Sequence, residues 1–145
     1  MLVEMMRWLI SFLALAGTLV SALALQVHYS TATEPCSINA QWDCGVVNHS
    51  PFAVIGPVPV AALGIAGYLA IGLLAWFRLR FTLLLTVFAG FVFAFRLSMI
   101  EEFALGVWCL YCAISQGVIA VILMLSIGWF VAEYLRLRRT ANRLR

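Results

Sequence analysis

Four apolar segments, each about as long as a bilayer is thick, constrain this chain more than any other feature of its sequence. They cover residues 8–27, 58–77, 81–100 and 110–131. A hydrocarbon core of about 30 Å takes roughly 20 helical residues to cross, and a helix satisfies its own backbone hydrogen bonds there. With 65% apolar and 10% charged residues, the chain is too apolar for a soluble domain. The sequence therefore predicts an all-α integral membrane protein, with residues 1–145 forming a single four-transmembrane-helix bundle.

The distribution of arginine predicts how this bundle is oriented. The chain has nine basic residues and all of them are arginine. With four spans, every arginine except Arg96 falls on one side, and that side is cytoplasmic by the positive-inside rule. We therefore expect a multi-pass protein of the cell membrane with both termini cytoplasmic. The expected extracytoplasmic side carries the acidic residues Glu34, Asp43, Glu101 and Glu102.

Two groups of arginines need a separate interpretation. The basic tail Arg136–Arg145 adjoins a span, where such residues set topology and contact anionic lipid, so we predict no nucleic-acid partner. Arg96 lies near the outer end of the third segment. We expect it to snorkel and to pair with Glu101 or Glu102.

The first apolar segment also has features of a cleaved signal peptide. Arg7 precedes it, and Ala22-Leu23-Ala24 resembles a cleavage site. The apolar core of a signal peptide is about 7 to 15 residues long, shorter than this run. We therefore favour an uncleaved helix, and cleavage would leave the other three spans oriented as described.

The connections between the segments differ in length. Only Arg78-Leu79-Arg80 turns the chain between the second and third segments, which predicts a tight antiparallel helix hairpin. Residues 28–57, between the first and second segments, form a long extracytoplasmic loop with Trp42 and Phe52 to settle it on the membrane surface. Loops of that length in a compact protein are usually functional or disordered. We therefore expect the chemistry at this end of the bundle.

All four cysteines fall at the same end. Cys36 and Cys44 lie in the long loop, and Cys109 and Cys112 open the fourth segment. If a helix begins there, its backbone N–H groups and dipole favour a thiolate at Cys109. Cys112 would lie roughly 4.5 Å further along the helix on nearly the same face, so the two sulfurs can pair or face different partners. The motif predicts a reactive thiol pair close to lipid, with chance pairing at a helix end as the alternative.

The loop pair allows two roles. Closing the short loop between Cys36 and Cys44 costs little entropy, and a mobile loop can carry one of these sulfurs to Cys109 for disulfide exchange. A structural staple is the commoner role of extracytoplasmic cysteines, but the second thiol pair on the same side favours a relay. His28 and His49 flank the loop pair, yet the ligand spacings are not those of a zinc site, so we predict no metal.

Together these residues resemble the vitamin K epoxide reductase family, in its prokaryotic branch. The resemblance rests on four spans, on Cys36-x7-Cys44 in the first outer loop, on Ser50 six residues after Cys44, and on Trp108-Cys109-Leu110-Tyr111-Cys112 at the start of the last helix. It covers essentially the whole membrane core. The other bacterial four-helix thiol oxidase linked to quinone has its C-x-x-C in the first outer loop, so the position of this motif is the specific feature.

The resemblance implies a membrane quinone reductase that generates disulfides. Electrons would pass from a thioredoxin-like partner to Cys36 and Cys44, then to Cys109 and Cys112, and finally to a quinone of the menaquinone, ubiquinone or phylloquinone type. Many prokaryotic members carry a fused thioredoxin-like domain after the helices. This chain ends at Arg145, so the expected partner is a separate extracytoplasmic protein.

The resemblance also suggests quinone contacts. Animal members hold the quinone head with an Asn on the second helix and a Tyr one turn after the C-x-x-C, whereas this chain has Pro57–Val60 and Gln116 there. We therefore do not expect epoxide reduction as the main activity. Candidate contacts are Cys112, Gln116 and Ser50, although Gln116 would also serve as interhelical glue and Ser50 as a plain turn residue.

Alternatives outside this function remain open at the level of sequence. A non-catalytic membrane scaffold would hold two permanent structural disulfides. A vitamin K epoxide or quinone reductase would use the same thiols with a different main acceptor. A reductase that carries electrons outwards would need cysteines in the membrane or facing the cytoplasm, and the predicted topology has none.

Overall fold

The computed structural model of the protein describes residues 2–30 and 36–143. Glu34 and Arg145, which contribute to the predicted charge asymmetry, lie outside the described residues. The elements in chain order are α1 (Leu2–Tyr29), α2 (Cys44–Asn48), a 3₁₀ turn (Pro51–Ala53), β1 (Val54–Ile55), β2 (Val58–Pro59), α3 (Val60–Trp76), α4 (Arg80–Ile100), a π-helical turn (Glu101–Leu105) and α5 (Leu110–Arg143).

Three of the described helices are long and apolar enough to cross a membrane, namely Val3–Tyr29, Arg80–Leu105 and Leu110–Arg143. The fourth, α3, is apolar but has 17 residues, which extend about 26 Å at 1.5 Å per residue. The helix begins two residues after the predicted start at residue 58, because β2 pairs antiparallel with β1 before it. This small hairpin shortens the second predicted span at its outer end.

The first and last helices are longer than the predicted spans. α1 begins at Leu2 and α5 continues to Arg143. Leu, Arg and Ala are good helix formers, so a helix does not stop where its apolar stretch ends. Ala22-Leu23-Ala24 lies inside the continuous helix α1, which also supplies Ile10 and Ala14 to the core.

Small residues let the helices approach each other closely. α1 packs most extensively on α3 and α5, and α4 packs on α5. A Cβ atom on Gly64 would lie 2.8 Å from Ser21 Oγ, and one on Gly17 would overlap the ring of Tyr68. Glycine at these two positions therefore allows the contact between α1 and α3.

Buried residues form two clusters. The larger joins the long helices and consists of Ile10, Ala14, Tyr68, Ile71, Ala75, Leu83, Val87, Ile119, Ile122 and Trp129. The smaller surrounds the thiol groups and consists of Val27, Cys36, Cys44, Val47 and Cys109. Large apolar side chains such as Phe12, Phe88 and Met124 are exposed on the outside, as expected for helices in contact with lipid.

A tight turn joins α3 to α4, as the sequence predicts. Arg78 in this turn has a left-handed backbone conformation with φ 60°. Its Nη2 lies 2.7 Å from Oε1 of Glu4 in α1, and Arg80 Nη1 lies 3.2 Å from Oε1 of Glu133 in α5. These contacts bring the start of α1, the turn and the later part of α5 to one end of the bundle, which we call the arginine end.

The structure does not form the ion pair expected for Arg96. Within residues 2–30 and 36–143, no salt bridge joins Arg96 to Glu101 or Glu102. Five residues of α-helix rotate a side chain by about 140° relative to the first. Glu101 therefore projects from a different face, and both carboxylates accept hydrogen bonds elsewhere.

Candidate thiol site

The long loop is folded onto the start of α5. The Trp108 N–H donates to the Gln41 carbonyl at 2.8 Å, and the Asp43 N–H donates to the Trp108 carbonyl at 3.0 Å. These bonds pair Trp42 with Trp108 in a parallel bridge. Because Trp108 precedes Cys109 and Asp43 precedes Cys44, the bridge brings these two cysteines together.

Cys44 is held at the start of the short helix α2 by the residue before it. Asp43 Oδ1 caps this helix by accepting from the Val46 N–H at 3.1 Å, and it also accepts from the Ser37 hydroxyl at 2.9 Å. These bonds, the one from Val46 first, hold the pKa of Asp43 below its usual value. A cap of this kind stabilises a helix by about 1 kcal/mol and fixes where Cys44 lies.

Three sulfurs meet at this position. Cys36 and Cys44 form a disulfide, and Cys109 is a free thiol whose Sγ lies 3.4 Å from Cys44 Sγ. All three residues are at most 2% exposed. Disulfide exchange begins with a thiolate attacking a disulfide sulfur. The structure therefore brings a nucleophile into contact with the sulfur that it would attack.

Cys109 caps the N-terminus of α5. Its Sγ accepts from the Cys112 N–H at 3.4 Å, and its carbonyl accepts from the Ala113 N–H at 2.9 Å. Hydrogen bonding from the Cys112 side chain, together with the backbone N–H groups, lowers the pKa of the Cys109 thiol, although burial and Glu101 act against it. A reactive thiolate is therefore favoured at this helix start.

Glu101 lies beside both cysteines of the C-x-x-C motif. It is 3% exposed, and its Oε2 accepts from the Cys109 N–H at 3.0 Å. The Cys112 side chain also interacts electrostatically with this carboxylate. The π-helical turn and Gly106, which has φ 66°, reverse the chain between Glu101 and Cys109; glycine adopts this conformation without steric cost.

The sequence predicts Glu101 only as a partner of Arg96, and the contact of its carboxylate with Cys109 comes from the structure. A signal was present, because Glu101 is an acidic residue at the end of an apolar segment. Its contact with Cys109 depends on how the chain turns between α4 and α5.

Asn48 is a second polar residue of the site that the sequence pattern does not single out. It is 6% exposed, and its Nδ2 donates to the Cys44 carbonyl at 2.9 Å and towards Cys109 Sγ at 3.6 Å. The available signal was the four-residue spacing from Cys44, which places the two on one face of a helical turn. Asn48 therefore links the loop disulfide to the thiol of α5.

The two histidines that flank the loop pair engage backbone carbonyls. His28 Nδ1 lies 2.6 Å from the Asn48 carbonyl, and His49 Nδ1 lies 2.8 Å from the Gly45 carbonyl. Their rings stack with centroids 6.3 Å apart. In the described part of the chain, no three His, Cys, Asp or Glu side chains converge as metal ligands would. These rings thus hold α2 against the end of α1.

A cavity of about 190 Å³ lies next to the thiols and is lined by all four long helices and the loop. Its lining is mostly apolar, with Cys112, Glu101, Ser115 and Tyr68 among the polar exceptions. Cys109 does not line it. Cys112 is therefore the one of the two C-x-x-C thiols that faces the cavity, and a mostly apolar pocket with few polar groups is typical of a small-molecule site.

The other two candidate quinone contacts differ in where they lie. Ser50 lines the cavity, although its hydroxyl donates to the Val47 carbonyl at 2.7 Å. Gln116 is not among the lining residues, and its Oε1 is buried without a partner among the described residues. The cavity face of α5 includes Ser115 and Ile119, and Gln116 is rotated about 100° from Ser115.

Comparison with known proteins agrees with the pattern of cysteines. A search of curated proteins found no match. Residues 8–127 match the model of the family described as the Vitamin K epoxide reductase family, and this range includes all four cysteines and most of the described helices. The chain therefore belongs to the vitamin K epoxide reductase family.

Proposed function

We propose that the protein is a thiol:quinone oxidoreductase of the cell membrane that generates disulfides. Its family implies membrane disulfide and quinone redox chemistry. In the finer assignment, a separate extracytoplasmic thioredoxin-like protein donates electrons through Cys36 and Cys44 to Cys109 and Cys112, and then to a quinone. The observation that carries this assignment is the 3.4 Å between Cys44 Sγ and Cys109 Sγ.

The proposal includes four spans, with both termini cytoplasmic and the cysteines extracytoplasmic. It is supported by the gathering of Arg7, Arg78 and Arg80 at the end of the bundle opposite the cysteines, because basic residues favour the cytoplasmic side. α3 is short for a span. A bilayer accommodates such a helix by local thinning at modest cost.

The thiol steps balance as a series of exchanges. A partner thiolate attacks Cys36 Sγ, and Cys44 leaves as a thiolate. Cys44 attacks Cys109 of an oxidised Cys109–Cys112 pair, forming the Cys44–Cys109 bond and releasing the Cys112 thiolate. The second partner thiol frees Cys36 and leaves the partner oxidised. Cys36 then attacks Cys44, which restores the loop disulfide and releases Cys109.

The end of this series is the thiol state seen in the structure. Cys36 and Cys44 are joined, while Cys109 and Cys112 are free. The contact between Cys44 and Cys109 is the one through which the exchange has to pass in either direction.

The cavity suits a quinone ring. Its walls are mostly apolar, and of the three expected quinone contacts Cys112 and Ser50 line it. When bound, the quinone supplies an acceptor for two electrons and two protons. The protein contributes the pair Cys109 and Cys112, held so that one sulfur faces the loop disulfide and the other faces the cavity.

The test is anaerobic mixing of the purified protein with a reduced thioredoxin-like protein and menaquinone. We expect loss of quinone absorbance matched by disulfide in the donor, and a trapped Cys44–Cys109 species on non-reducing gels after acid quenching. If neither this donor nor a small dithiol reduces the quinone, the proposed function is wrong. Cysteines whose oxidation states do not change throughout would indicate a scaffold.

A further inference from the structure

Glu101 is a buried carboxyl group that the thiol exchanges do not use. It is 3% exposed, lines the cavity, and has no cationic partner among the described residues. Keeping a carboxylate charged in such a place is costly, and ionisable residues at membrane depth usually have a function. The three other described glutamates have different settings: Glu4 and Glu133 form ion pairs, and Glu102 is exposed.

Glu101 lies between the thiols of the C-x-x-C motif, which lose protons when they are oxidised, and the cavity, where a quinone would gain them. One oxygen accepts from the Cys109 N–H at 3.0 Å, which orients the carboxylate at the start of α5. The Cys112 side chain interacts electrostatically with this carboxylate. Glu101 and Cys112 both line the cavity. Among the described residues that line this cavity, Glu101 is the only one with a carboxyl group.

We propose that Glu101 is the proton carrier of the quinone half-reaction, taking the proton of the Cys112 thiol and delivering it to a quinone oxygen in the cavity. This inference rests on the proposed function. It starts from a Cys109 thiolate and a Cys112 thiol with Glu101 as carboxylate. Two electrons leave the sulfurs as the Cys109–Cys112 bond forms, and the Cys112 proton passes to Glu101. Of the two protons that complete the hydroquinone, Glu101 supplies one and water supplies the other.

The matched variant is Glu101→Gln, because the amide oxygen can still accept from the Cys109 N–H but cannot carry a proton. Glu101→Asp keeps the carboxyl group on a shorter side chain. Glu133→Gln makes the same chemical change at the far end of α5, where Glu133 pairs with Arg80. Loss of general acid–base catalysis typically slows a step by about 100-fold or more.

The experiment measures two steps separately in each variant. The first is reduction of the Cys36–Cys44 disulfide by a small dithiol, followed by thiol trapping. The second is formation of the Cys109–Cys112 disulfide after anaerobic addition of menadione. We expect Glu101→Gln to keep the first rate and to slow the second by about 100-fold, Glu101→Asp to recover part of it, and Glu133→Gln to match the wild type in both.

Infrared difference spectra provide a readout that does not depend on turnover. After rapid mixing of the reduced protein with menadione, we expect a carboxyl C=O band that rises and decays in the wild type and in Glu133→Gln, because Glu101 is protonated only between the two transfers, and no such band in Glu101→Gln. The inference is overturned if the Cys109–Cys112 disulfide forms at the same rate in Glu101→Gln and in the wild type. It is also overturned if the carboxyl band is still seen in Glu101→Gln. Failure of the wild type itself to oxidise Cys109 and Cys112 with menadione would instead contradict the proposed function.

Discussion

The two ends of the helix bundle use their carboxylates differently. At the arginine end, Glu4 pairs with Arg7 at 2.9 Å and with Arg78 at 2.7 Å, while Glu133 pairs with Arg80 at 3.2 Å. At the opposite end, which carries the four cysteines and which we call the thiol end, the carboxylates of the described residues accept hydrogen bonds from N–H and O–H donors. None of these carboxylates forms a salt bridge with a cation in the described part of the chain. These acceptors are Asp43, Glu101 and Glu102, with donors from Val46, Ser37, Cys109 and Trp108.

The carboxylates at the arginine end balance charge, whereas those at the thiol end hold other residues in position. A half-exposed ion pair contributes about 0 to 1 kcal/mol and tolerates changes in geometry. A carboxylate that accepts from a particular backbone N–H instead fixes the residue that donates. Asp43 fixes the start of the helix that carries Cys44, and Glu101 fixes the N–H of Cys109. Substitutions at the thiol end should therefore change redox behaviour, and those at the arginine end should not.

The largest expected effect comes from removing a sulfur of the inner pair. Cys109→Ala and Cys112→Ala should each reduce quinone-dependent thiol oxidation to background, because both sulfurs are needed for the disulfide that forms as electrons leave. The measurement is the rate of quinone reduction with a small dithiol as donor. Arg78→Gln, at the arginine end, should retain the wild-type rate. Near wild-type turnover in either cysteine variant would contradict the assignment of this pair.

A smaller effect, dependent on the donor, is expected for the loop pair. Cys36→Ala should block oxidation of a thioredoxin-like protein, because the partner thiolate has lost its target. Some turnover should survive with a small dithiol that reaches the inner pair directly. The measurement is the ratio of the two rates. If both donors lose activity equally, the loop pair does not shuttle electrons.

The next prediction concerns the thiolate at the helix start. Because the hydrogen bond from Cys112 lowers the pKa of Cys109, the Cys109 thiolate should persist to lower pH than an ordinary thiolate. With the loop disulfide intact, thiolate absorbance in the ultraviolet should show this titration. Cys112→Ala should move it to higher pH, and Cys109→Ala should remove it. An unchanged titration in Cys112→Ala would show that the helix terminus alone sets the pKa.

The smallest predicted effects are on stability. Asp43→Ala removes a helix cap and should destabilise the protein by about 1 kcal/mol, whereas Glu4→Ala should cost less than about 1 kcal/mol for each exposed ion pair. Since the pKa of Asp43 is lowered in the folded protein, its contribution is present above the ordinary carboxyl range and is lost as the pH falls through the lowered pKa. Thermal unfolding in detergent should therefore show the Asp43→Ala deficit shrinking in acid, and a deficit independent of pH would contradict it.

The sequence by itself determined the helical class, the tight turn between α3 and α4, the clustering of thiol chemistry at one end and the family. These properties arise from local chemistry. The free energy of transferring a side chain into hydrocarbon depends on that residue alone. A long apolar run therefore predicts a membrane helix whatever the rest of the chain does. The C-x-x-C motif likewise fixes its own geometry, because its two cysteines share one helical turn.

Only the tertiary structure decided how the site is assembled. The pairing of Trp42 with Trp108, the bond from Cys109 to Glu101 and the approach of Asn48 to Cys109 join residues separated by turns of the chain. Arg96 shows the same limit in reverse, because its sequence position suggests an ion pair with Glu101 or Glu102 that the described residues do not form. The physical reason is that such contacts are directional and depend on how loops close and helices rotate, which no local pattern of hydrophobicity specifies.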